Sequence, residues 1–378
     1  MKIKCIYAST DRSSDAFYLS GITVPDSFLS LLIGGRKIAV VSQLEYARVK
    51  AHSKFSEVYE INALRKEVGN KMNLKPSRIG VPEIISYFQK SVRAESVLIP
   101  YDFPSGLSHS LQSLKLPIEC SDEPFLKERA VKNKSEIAHI RAANKAIVCG
   151  FDVAKSALAH AKIKNKKLYL DGMLLTSERL RDAIDLSVFE RGFIAQSTIV
   201  ACGNQACDPH QVGAGALKAN ELIIIDIFPR CKKSGYYGDM TRTFLKGVAS
   251  DEQKALVSAV KNAQNEAFLK IKQRVKGSTV HASVVASFEK QGYHTGQDLK
   301  KDFFYGFIHS TGHGLGLDIH ESPSLSPKGT YLKAGHVITV EPGLYYPNVG
   351  ACRIEDVVLV TQTGYQKLSK YPYQWLIR

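Results

Sequence analysis

The sequence has no long hydrophobic run, and this absence limits the classes of protein to which it can belong. Its longest apolar runs, such as 223–225 and 357–360, fall far short of the roughly 20 residues of a membrane-spanning helix. The first residues carry charge but no apolar core, which predicts that no secretory signal is present. The seven cysteines include no Cys-x-x-Cys pair and are odd in number, which predicts reduced thiols in a cytoplasmic protein.

Composition and chain length together predict a packed protein of two domains. Hydrophobic residues make up 44% of the 378 residues and charged residues 23%, which excludes disorder, collagen-like repeats and a coiled coil as descriptions of the whole chain. Strands and helices alternate in the first third, so we expect a small α/β domain over residues 1–123. After a polar, proline-marked stretch at 116–124, residues 124–378 predict an α+β domain with a largely antiparallel sheet and helices on its outer face.

The formal net charge of +15 is concentrated in one stretch of the chain. Between residues 127 and 167 there are 11 basic and 3 acidic residues. Basic patches can bind nucleic acid, but no nucleic-acid-binding motif accompanies this one. The interpretation we favour is a lysine-rich, solvated helix face, and nucleic acid is therefore not an expected partner.

Local patterns predict individual elements that matter for the argument below. Apolar residues at three- and four-residue steps predict a helix over 135–160, and Ser177 is the predicted N-cap of a helix over 176–190. β-Rich runs predict strands, among them 77–81, 197–202, 221–228, 241–245, 336–344 and 352–361.

Four acidic residues lie in or directly beside apolar strands, where a charge is costly. They are Asp226, Asp239, Glu341 and Glu355. A buried ionised carboxylate is strongly unfavourable unless a cation or strong donors compensate it. Two divalent metal ions would supply that positive charge. A Gly-rich segment, HSTGHGLGLDIH at 309–320, adds three histidines, and its glycines let the backbone approach a site closely.

Each of these residues has an ordinary structural explanation when it is considered alone. A single Asp at the end of a strand more often closes a turn, and a single His in a Gly-rich loop is more often structural. The combination of four carboxylates with imidazole nevertheless indicates a metal site with mixed N and O ligands. Such a ligand set suits Mn, Co, Zn or Fe better than Ca or Mg alone.

Four segments resemble, in order and content, the metal-binding segments of the pita-bread metallopeptidases. They are IIIDIFPRCKKSGYYGDMTRTF, HSTGHGLGLDIHESP, VITVEPGLYYP and CRIEDVVLVTQTG. Within that family the resemblance is to the aminopeptidase P and prolidase branch, whose members cleave the bond before proline. It runs from about residue 127 to the C-terminus. Residues 1–123, with DAFYLSG near the start, look like the smaller creatinase-like N-terminal domain of the same proteins.

The resemblance implies five ligands for two divalent metal ions, with Mn the expected metal. Asp226 would bind one ion, and His313 with Glu341 would bind the other. Asp239 and Glu355 would bridge the pair, since bridging carboxylates hold two like charges close together. Glu341 would also act as general base and proton shuttle for a water that lies between the ions and attacks the peptide carbonyl.

The resemblance also implies substrate-facing roles for three histidines and one arginine. His210 would face the peptide, and His320 would hydrogen-bond the carbonyl and stabilise the tetrahedral intermediate. His309 would line the proline pocket. Two roles stay open for Arg353, which would either bind a carboxylate of the substrate or form a plain ion pair with a neighbouring ligand. Tyr345 is given no role.

The chain departs from the family pattern at the first ligand. The family reads Asp-x-Gly there, whereas this chain has Asp226-Ile227-Phe228, and Phe228 is given no role. The interval from Asp226 to Asp239 is thirteen residues, two more than is usual in the family. If the two aspartates begin adjacent antiparallel strands, an even insertion in the turn leaves both side chains on the metal face.

The predicted function is that of a dimetal exopeptidase that cleaves an N-terminal residue from proline in peptides, an Xaa-Pro aminopeptidase. The alternative is an Xaa-Pro dipeptidase, because motifs do not show whether anything blocks the peptide beyond proline. A different class, a metal-free pita-bread binding module, is disfavoured because all five ligands are retained, and the same fact argues against a metal-free amidinohydrolase. A methionine aminopeptidase normally lacks such an N-terminal domain. By the same resemblance we expect a homodimer, and the short apolar runs predict no membrane association.

Overall fold

The computed structural model describes residues 1–121, 124–296 and 305–378. Within these ranges the chain forms two units, 1–129 and 130–378. The boundary predicted from the sequence is at 123/124, and residues 122–123 lie outside the described ranges. The assignment of the units as a creatinase-like N-terminal domain and a catalytic domain stays a prediction.

The first unit is built on one mixed sheet of six strands in the order β4-β3-β2-β1-β5-β6. Its strands are β1 Lys2–Ala8, β2 Phe28–Ile33, β3 Arg36–Val41, β4 Glu57–Glu60, β5 Ser96–Ile99 and β6 Ile118–Cys120. Its helices are α1 Ser14–Ser20, α2 Gln43–His52, α3 Ile61–Met72, α4 Val81–Ser91 and α5 Ser105–Ser113, with a short 3-10 helix at Pro76–Arg78. Alternate strand residues pack into two separate hydrophobic clusters, one on each face of the sheet, as expected for an α/β unit.

The second unit contains two larger sheets, in the orders β11-β12-β14-β22 and β16-β15-β17-β20-β21. Its helices are α6 Lys134–His160, α7 Ser177–Phe189, α8 Asp251–Lys270 and α9 Gly277–Lys290, with a short 3-10 helix at Gly203–Cys207. Another short 3-10 helix, Lys127–Ala130, contains the last residues of the first unit and the first residue of the second. Its first strands are β7 Lys162–Lys164, β8 Lys167–Leu170, β9 Met173–Leu174, β10 Phe193–Ile194, β11 Ile199–Cys202, β12 Ile223–Ile227, β13 Arg230–Cys231 and β14 Met240–Lys246. The remaining strands are β15 Gly312–Gly314, β16 Glu321–Leu325, β17 Val337–Val340, β18 Gly343–Tyr346, β19 Gly350–Arg353, β20 Asp356–Val360, β21 Tyr365–Lys367 and β22 Leu376–Ile377.

Each of these two sheets is covered by its own pair of helices. Helices α6 and α7 share a hydrophobic cluster with β12 and β14, and α8 and α9 share another with β17 and β20. All pairings in the two sheets are antiparallel except that of β14 with β22. The predicted α+β class, with a largely antiparallel sheet, is therefore confirmed. None of the helices in the described part of the chain combines the length and the apolar character needed to cross a membrane.

Two local predictions are wrong. Residues 77–81 do not form a strand, because Pro76 opens a 3-10 helix and the backbone N–H of Gly80 donates to the Glu83 side chain (2.7 Å) at the start of α4. The N-cap of α7 is Thr176 rather than Ser177, since the Thr176 side chain accepts a hydrogen bond from the Arg179 backbone N–H (3.3 Å).

Two predicted strands are each divided into two, and both interruptions carry a predicted ligand. The run 336–344 forms β17 and β18, with Glu341 and Pro342 between them, and the proline has no N–H to continue a ladder. The run 352–361 spans β19 and β20, with Glu355 between them. The two glutamates therefore leave the regular pleat and are free to turn towards a common point.

The two aspartates lie on one face of neighbouring strands, although Asp226 is near the end of its strand rather than at its beginning. Strands β12 and β14 are antiparallel, with Asp226 opposite Thr241. Asp239 directly precedes β14 and lies two residues before Thr241, so it shares the face of Asp226. An even number of residues in the connection preserves this arrangement.

Candidate metal centre

A cavity of about 670 Å³ in the second unit brings together every site residue that the sequence predicts. Its lining includes Asp226, Asp239, His313, Glu341, Glu355, His210, His309, His320 and Arg353. The carboxylates and Arg353 come from strand ends and strand interruptions, and the histidines come from β15 and from loops, at positions that are far apart in the chain. The convergence is a property of the fold, and the individual roles remain predictions.

The ligand-type atoms lie close enough together to share metal ions. Ligand atoms of Asp239, His313 and Glu355 are all within 4.8 Å of one another. The Nε2 atom of His313 lies 3.3 Å from Oε1 of Glu341 and 3.6 Å from Oδ2 of Asp239. The cluster therefore has the mixed imidazole and carboxylate character that suits Mn, Co, Zn or Fe.

The backbone fixes the tautomer of His313. Its Nδ1 lies 3.1 Å from the carbonyl oxygen of Gly314, and a carbonyl only accepts, so Nδ1 carries the proton. Nε2 is then the lone-pair nitrogen, and it faces the carboxylates. Burial lowers the pKa of His313, which further favours the neutral ring that a metal ion requires.

Two buried carboxylate oxygens in the cavity have no hydrogen-bond partner among the described residues. They are Oδ1 of Asp226 and Oε1 of Glu355. The second oxygen of each group is engaged: Oδ2 of Asp226 accepts from Arg353 (2.8 Å), and Oε2 of Glu355 accepts from Thr241 (2.8 Å). Orphaned buried oxygens of this kind are costly, and divalent cations would satisfy them. The residues present therefore fit the predicted metal ions.

Burial raises the pKa of the clustered carboxyl groups, and mutual repulsion adds to the effect. Burial is the largest cause for Asp239 and Glu355, whose pKa values are raised well above the ordinary range. Burial also raises the pKa of Glu341 to about 7, against an ordinary value of 4.5. The raised pKa values favour the protonated forms in the absence of metal ions, so cations must compete with protons for these groups.

The pKa shift of Glu341 predicts how the stability of the metal-free protein depends on pH. Between about pH 5 and pH 7 the folded protein binds a proton that the unfolded chain has released, so its free energy of unfolding falls as pH rises. Metal ions bind the deprotonated group, so their affinity rises over the same range. We expect the difference in melting temperature between Mn-loaded and EDTA-treated protein to widen from pH 5 to pH 7. A difference that stays constant or narrows would contradict this assignment.

A buried hydrogen-bonded chain extends from Asp226, a predicted metal ligand, to the predicted proline pocket. Nη2 of Arg353 donates to Asp226, and its Nη1 donates to the hydroxyl of Tyr345 (2.9 Å). The Tyr345 hydroxyl donates in turn to Nε2 of His309 (2.9 Å), whose Nδ1 donates to the Ser310 carbonyl oxygen (2.7 Å). Burial, with Arg353 nearby, lowers the pKa of His309 to about 3, so its ring is neutral. Of the two roles left open for Arg353, the ion pair with a ligand is the one that this geometry shows.

Tyr345 was missed by the sequence argument, and so were two residues that position Asp239. Helix α6 packs so closely on Gly238 that a Cβ there would lie 2.8 Å from backbone atoms of Ala143 and Asn144. The buried Asn144 side chain accepts a hydrogen bond from the backbone N–H of Asp239 (3.4 Å). The sequence carries no direct signal for Tyr345, because its place beside Arg353 depends on strand pairing: Tyr345 follows Gly343 by two residues and shares its face, and Gly343 pairs with Arg353.

The other two predicted histidines lie on the open side of the cavity. His320 is exposed, and its ring packs edge-on against His313 with 4.3 Å between centroids. Partial burial and the neighbouring His313 lower the pKa of His320. His210 is exposed, and its backbone N–H donates to the Asp208 side chain (3.1 Å). Both rings are therefore accessible to a ligand in the cavity.

A metal-dependent hydrolase is the class of protein that this fold and this site define. Residues 138–362 match the model of metallopeptidase family M24, and the chain belongs to this family. The Xaa-Pro dipeptidase of Pyrococcus furiosus is 27% identical over 372 residues, which cover 94% of this chain and 91% of that protein. A putative dipeptidase of Bacillus subtilis is 30% identical over 261 residues, which cover 68% of this chain and 65% of that protein.

Solved structures of similar proteins share the fold along the whole chain. An Xaa-Pro dipeptidase from Bacillus anthracis matches with a TM-score of 0.80 at 21% identity, over 100% of this chain and 95% of that one. An X-Pro aminopeptidase from Thermotoga maritima matches with a TM-score of 0.77 at 22% identity, over 100% and 98% of the two chains. At this level of identity the structures show the fold alone.

These findings confirm three of the sequence predictions. The family resemblance is confirmed, the fold is the pita-bread type, and the chain is a metallo-exopeptidase. The family is a dimetal one, in agreement with the two orphaned carboxylate oxygens described above.

Proposed function

We propose that the protein is an Xaa-Pro dipeptidase that works with two divalent metal ions, Mn being the expected metal. The sequence motifs predict an Xaa-Pro aminopeptidase, whereas the comparisons support the alternative, an Xaa-Pro dipeptidase, better. The observation that carries the proposal is the similarity to the Pyrococcus furiosus dipeptidase, which spans 91% of that protein and includes the first unit. The complete ligand set in the cavity is consistent with it.

One structural observation keeps the Xaa-Pro aminopeptidase as a second candidate. A dipeptide presents its carboxylate beside proline, and this charge needs a cation or strong donors. Among the described residues that line the cavity, the only guanidinium is that of Arg353, which is committed to Asp226 and Tyr345, and no lysine is present. The remaining side-chain donors of the lining are histidines and serines, none of which carries a permanent positive charge. A longer peptide has no charge at that position and would not need such a group.

The residues of the cavity divide the work of peptide hydrolysis among them. The two ions, when bound, would supply Lewis acidity towards the carbonyl and a water nucleophile near neutral pH. Asp226, Asp239, His313, Glu341 and Glu355 would hold them. Glu341, with its pKa near 7 and the Thr339 hydroxyl as donor to Oε1 (3.2 Å), is suited to take a proton from water and return it to the leaving proline nitrogen. The exposed ring of His320 would donate to the developing oxyanion.

Peptide length distinguishes the two candidates. We expect Mn-reconstituted protein to hydrolyse the dipeptide Ala-Pro and to leave the tripeptide Ala-Pro-Ala largely intact, with Ala-Ala as the control for proline specificity. Cleavage mainly of the tripeptide would show that the protein is an Xaa-Pro aminopeptidase and not an Xaa-Pro dipeptidase. Failure to cleave either Xaa-Pro peptide, with metal bound, would contradict both.

We also propose that the protein is a homodimer, on the basis of the family resemblance. Light scattering of the purified chain is expected to give a mass close to twice 41.8 kDa. A mass of a single chain at micromolar concentration would contradict this proposal.

A further inference from the structure

The lysines at the end of the basic stretch lie on a β-ribbon, and not on the solvated helix face that the sequence predicts. In the hairpin of β7 and β8, Lys164 is directly opposite Lys167. Lys167 is in turn opposite Lys218, through an isolated antiparallel bridge. Residues directly opposite one another present their side chains to the same face, and Lys162 shares that face because it precedes Lys164 by two residues. Lys162, Lys164, Lys167 and Lys218 are named here the lysine row.

The lysine row is almost without compensating negative charge. All four residues are exposed. Among the described residues, the only ion pair of the row joins Lys218 to Glu221 at 3.4 Å, and it is a surface contact. Like charges directly opposite each other destabilise a strand pair. The row contains two such pairs in succession, so it weakens the ribbon that carries it.

The turn of the hairpin adds a further lysine at an unfavourable backbone position. Asn165 and Lys166 both adopt left-handed conformations, with φ of 51° and 60°. Such a two-residue turn favours Asn followed by Gly, whereas this chain has Lys in the second place. The hairpin therefore keeps positive charge where neither electrostatics nor backbone geometry favours it.

We infer that the lysine row is a binding surface for the phosphate backbone of single-stranded nucleic acid. Proteins that bind single strands without sequence preference combine a line of cations with aromatic side chains on which bases stack. Tyr169 supplies the aromatic group, because it is opposite Lys162 and so lies on the face of the row. The net charge of +15 adds long-range attraction for a polyanion. The inference is independent of the peptidase activity, since no residue of the row lines the metal cavity.

An anionic membrane is the other polyanionic surface to be considered, and the ribbon suits it less well. Insertion into the headgroup region needs apolar side chains next to the basic ones. Ile163, which is 49% exposed, belongs to the opposite face together with the buried Leu168. The tip of the hairpin is Asn165 and Lys166, both of which are polar. The tip of the hairpin would therefore be held to a membrane by charge alone.

Fluorescence anisotropy of the metal-loaded, full-length protein with a fluorescein-labelled single-stranded oligonucleotide of about 20 nucleotides tests the inference. Contact of four lysines with phosphates predicts a slope of log K against log salt of about −2.8 between about 50 and 200 mM salt. The double variant Lys164→Glu/Lys167→Glu is expected to bind at least about tenfold more weakly, with a slope smaller in magnitude by about 1.4. Its hydrolysis of Ala-Pro should be unchanged.

The matched control is Lys66→Glu/Lys75→Glu, which makes the same change in net charge at exposed lysines of the first unit. Equal losses of oligonucleotide affinity in the two double variants would overturn the inference, because net charge alone would then explain binding. The inference would also be overturned, in favour of a membrane, if the variant Lys164→Glu/Lys167→Glu lost binding to vesicles containing phosphatidylserine but bound the oligonucleotide as tightly as the wild type.

The single variant Lys167→Glu separates a binding role from a structural one. It replaces two like-charge contacts with opposite-charge contacts, so we expect the melting temperature to rise by about 1 °C while oligonucleotide affinity falls. Loss of both stability and affinity would show that Lys167 only supports the hairpin, and would contradict the inference.

Discussion

Replacement of Glu341 by alanine is expected to lower kcat/KM for an Xaa-Pro dipeptide by about four orders of magnitude or more. The substitution removes a side chain with two predicted roles, because Glu341 is both the predicted general base and a predicted metal ligand. Loss of a general base alone costs about 10²- to 10⁴-fold, and disturbance of a metal site adds to this. Its carboxylate is 3.3 Å from Nε2 of His313 in the cavity. We therefore expect the bound metal, measured by elemental analysis after dialysis, to fall below the wild-type content.

A matched control for this variant is Glu266→Ala, which removes an exposed carboxylate from α8. It should retain wild-type activity and metal content. Near-normal turnover in Glu341→Ala would show that the proposed assignment of the base is wrong. Normal metal content with greatly reduced turnover would show that Glu341 acts as the base and is not a metal ligand.

Replacement of Arg353 by alanine is expected to destabilise the protein strongly, and more so without metal than with it. Arg353 is 3% exposed and its guanidinium donates to Asp226 at 2.8 Å, so removal of this side chain leaves a buried carboxylate without that partner. Breaking a buried ion pair in this way costs about 3–5 kcal/mol. A bound cation would compensate Asp226 in its place. Urea unfolding with Mn and with EDTA should therefore give a larger loss of unfolding free energy in EDTA.

The control for this experiment is Arg78→Ala, an exposed arginine of the first unit, which should change stability little under either condition. A loss that is equal in Mn and in EDTA would contradict the proposal that Asp226 is a metal ligand. A large loss of dipeptide affinity together with unchanged stability would instead indicate that Arg353 binds the substrate carboxylate.

The four carboxylates that meet in the cavity could be singled out because each one conflicts with its surroundings in the sequence. A carboxylate within an apolar strand, such as Asp226, is costly unless something binds it, so its presence is informative without coordinates. The same conflict marks Glu341 and Glu355. The sequence predicts one continuous strand around each of these two glutamates, whereas the structure has two shorter ones. Apolar content alone does not reveal that the strand hydrogen bonding is interrupted at the glutamate. Pro342 was the available signal for the first interruption.

Residues that act through a neighbour left no comparable signal. Asn144 and Gly238 are separated by more than ninety positions, and only the packing of α6 against the start of β14 explains both. Tyr345 looks like an ordinary core aromatic in the sequence, and its hydroxyl acquires significance only from Arg353 and His309. The lysine row was assigned to a helix because charge composition does not encode strand register, which alone places Lys164, Lys167 and Lys218 side by side.

The central claim is that five side chains, from Asp226 to Glu355, hold two metal ions in one cavity. Anomalous X-ray diffraction from crystals of Mn-reconstituted protein, recorded on both sides of the Mn absorption edge, measures this most directly. The account predicts two Mn peaks in the cavity, in contact with Asp226, Asp239, His313, Glu341 and Glu355. A single peak, or peaks only outside this cavity in protein that hydrolyses Xaa-Pro peptides, would contradict it.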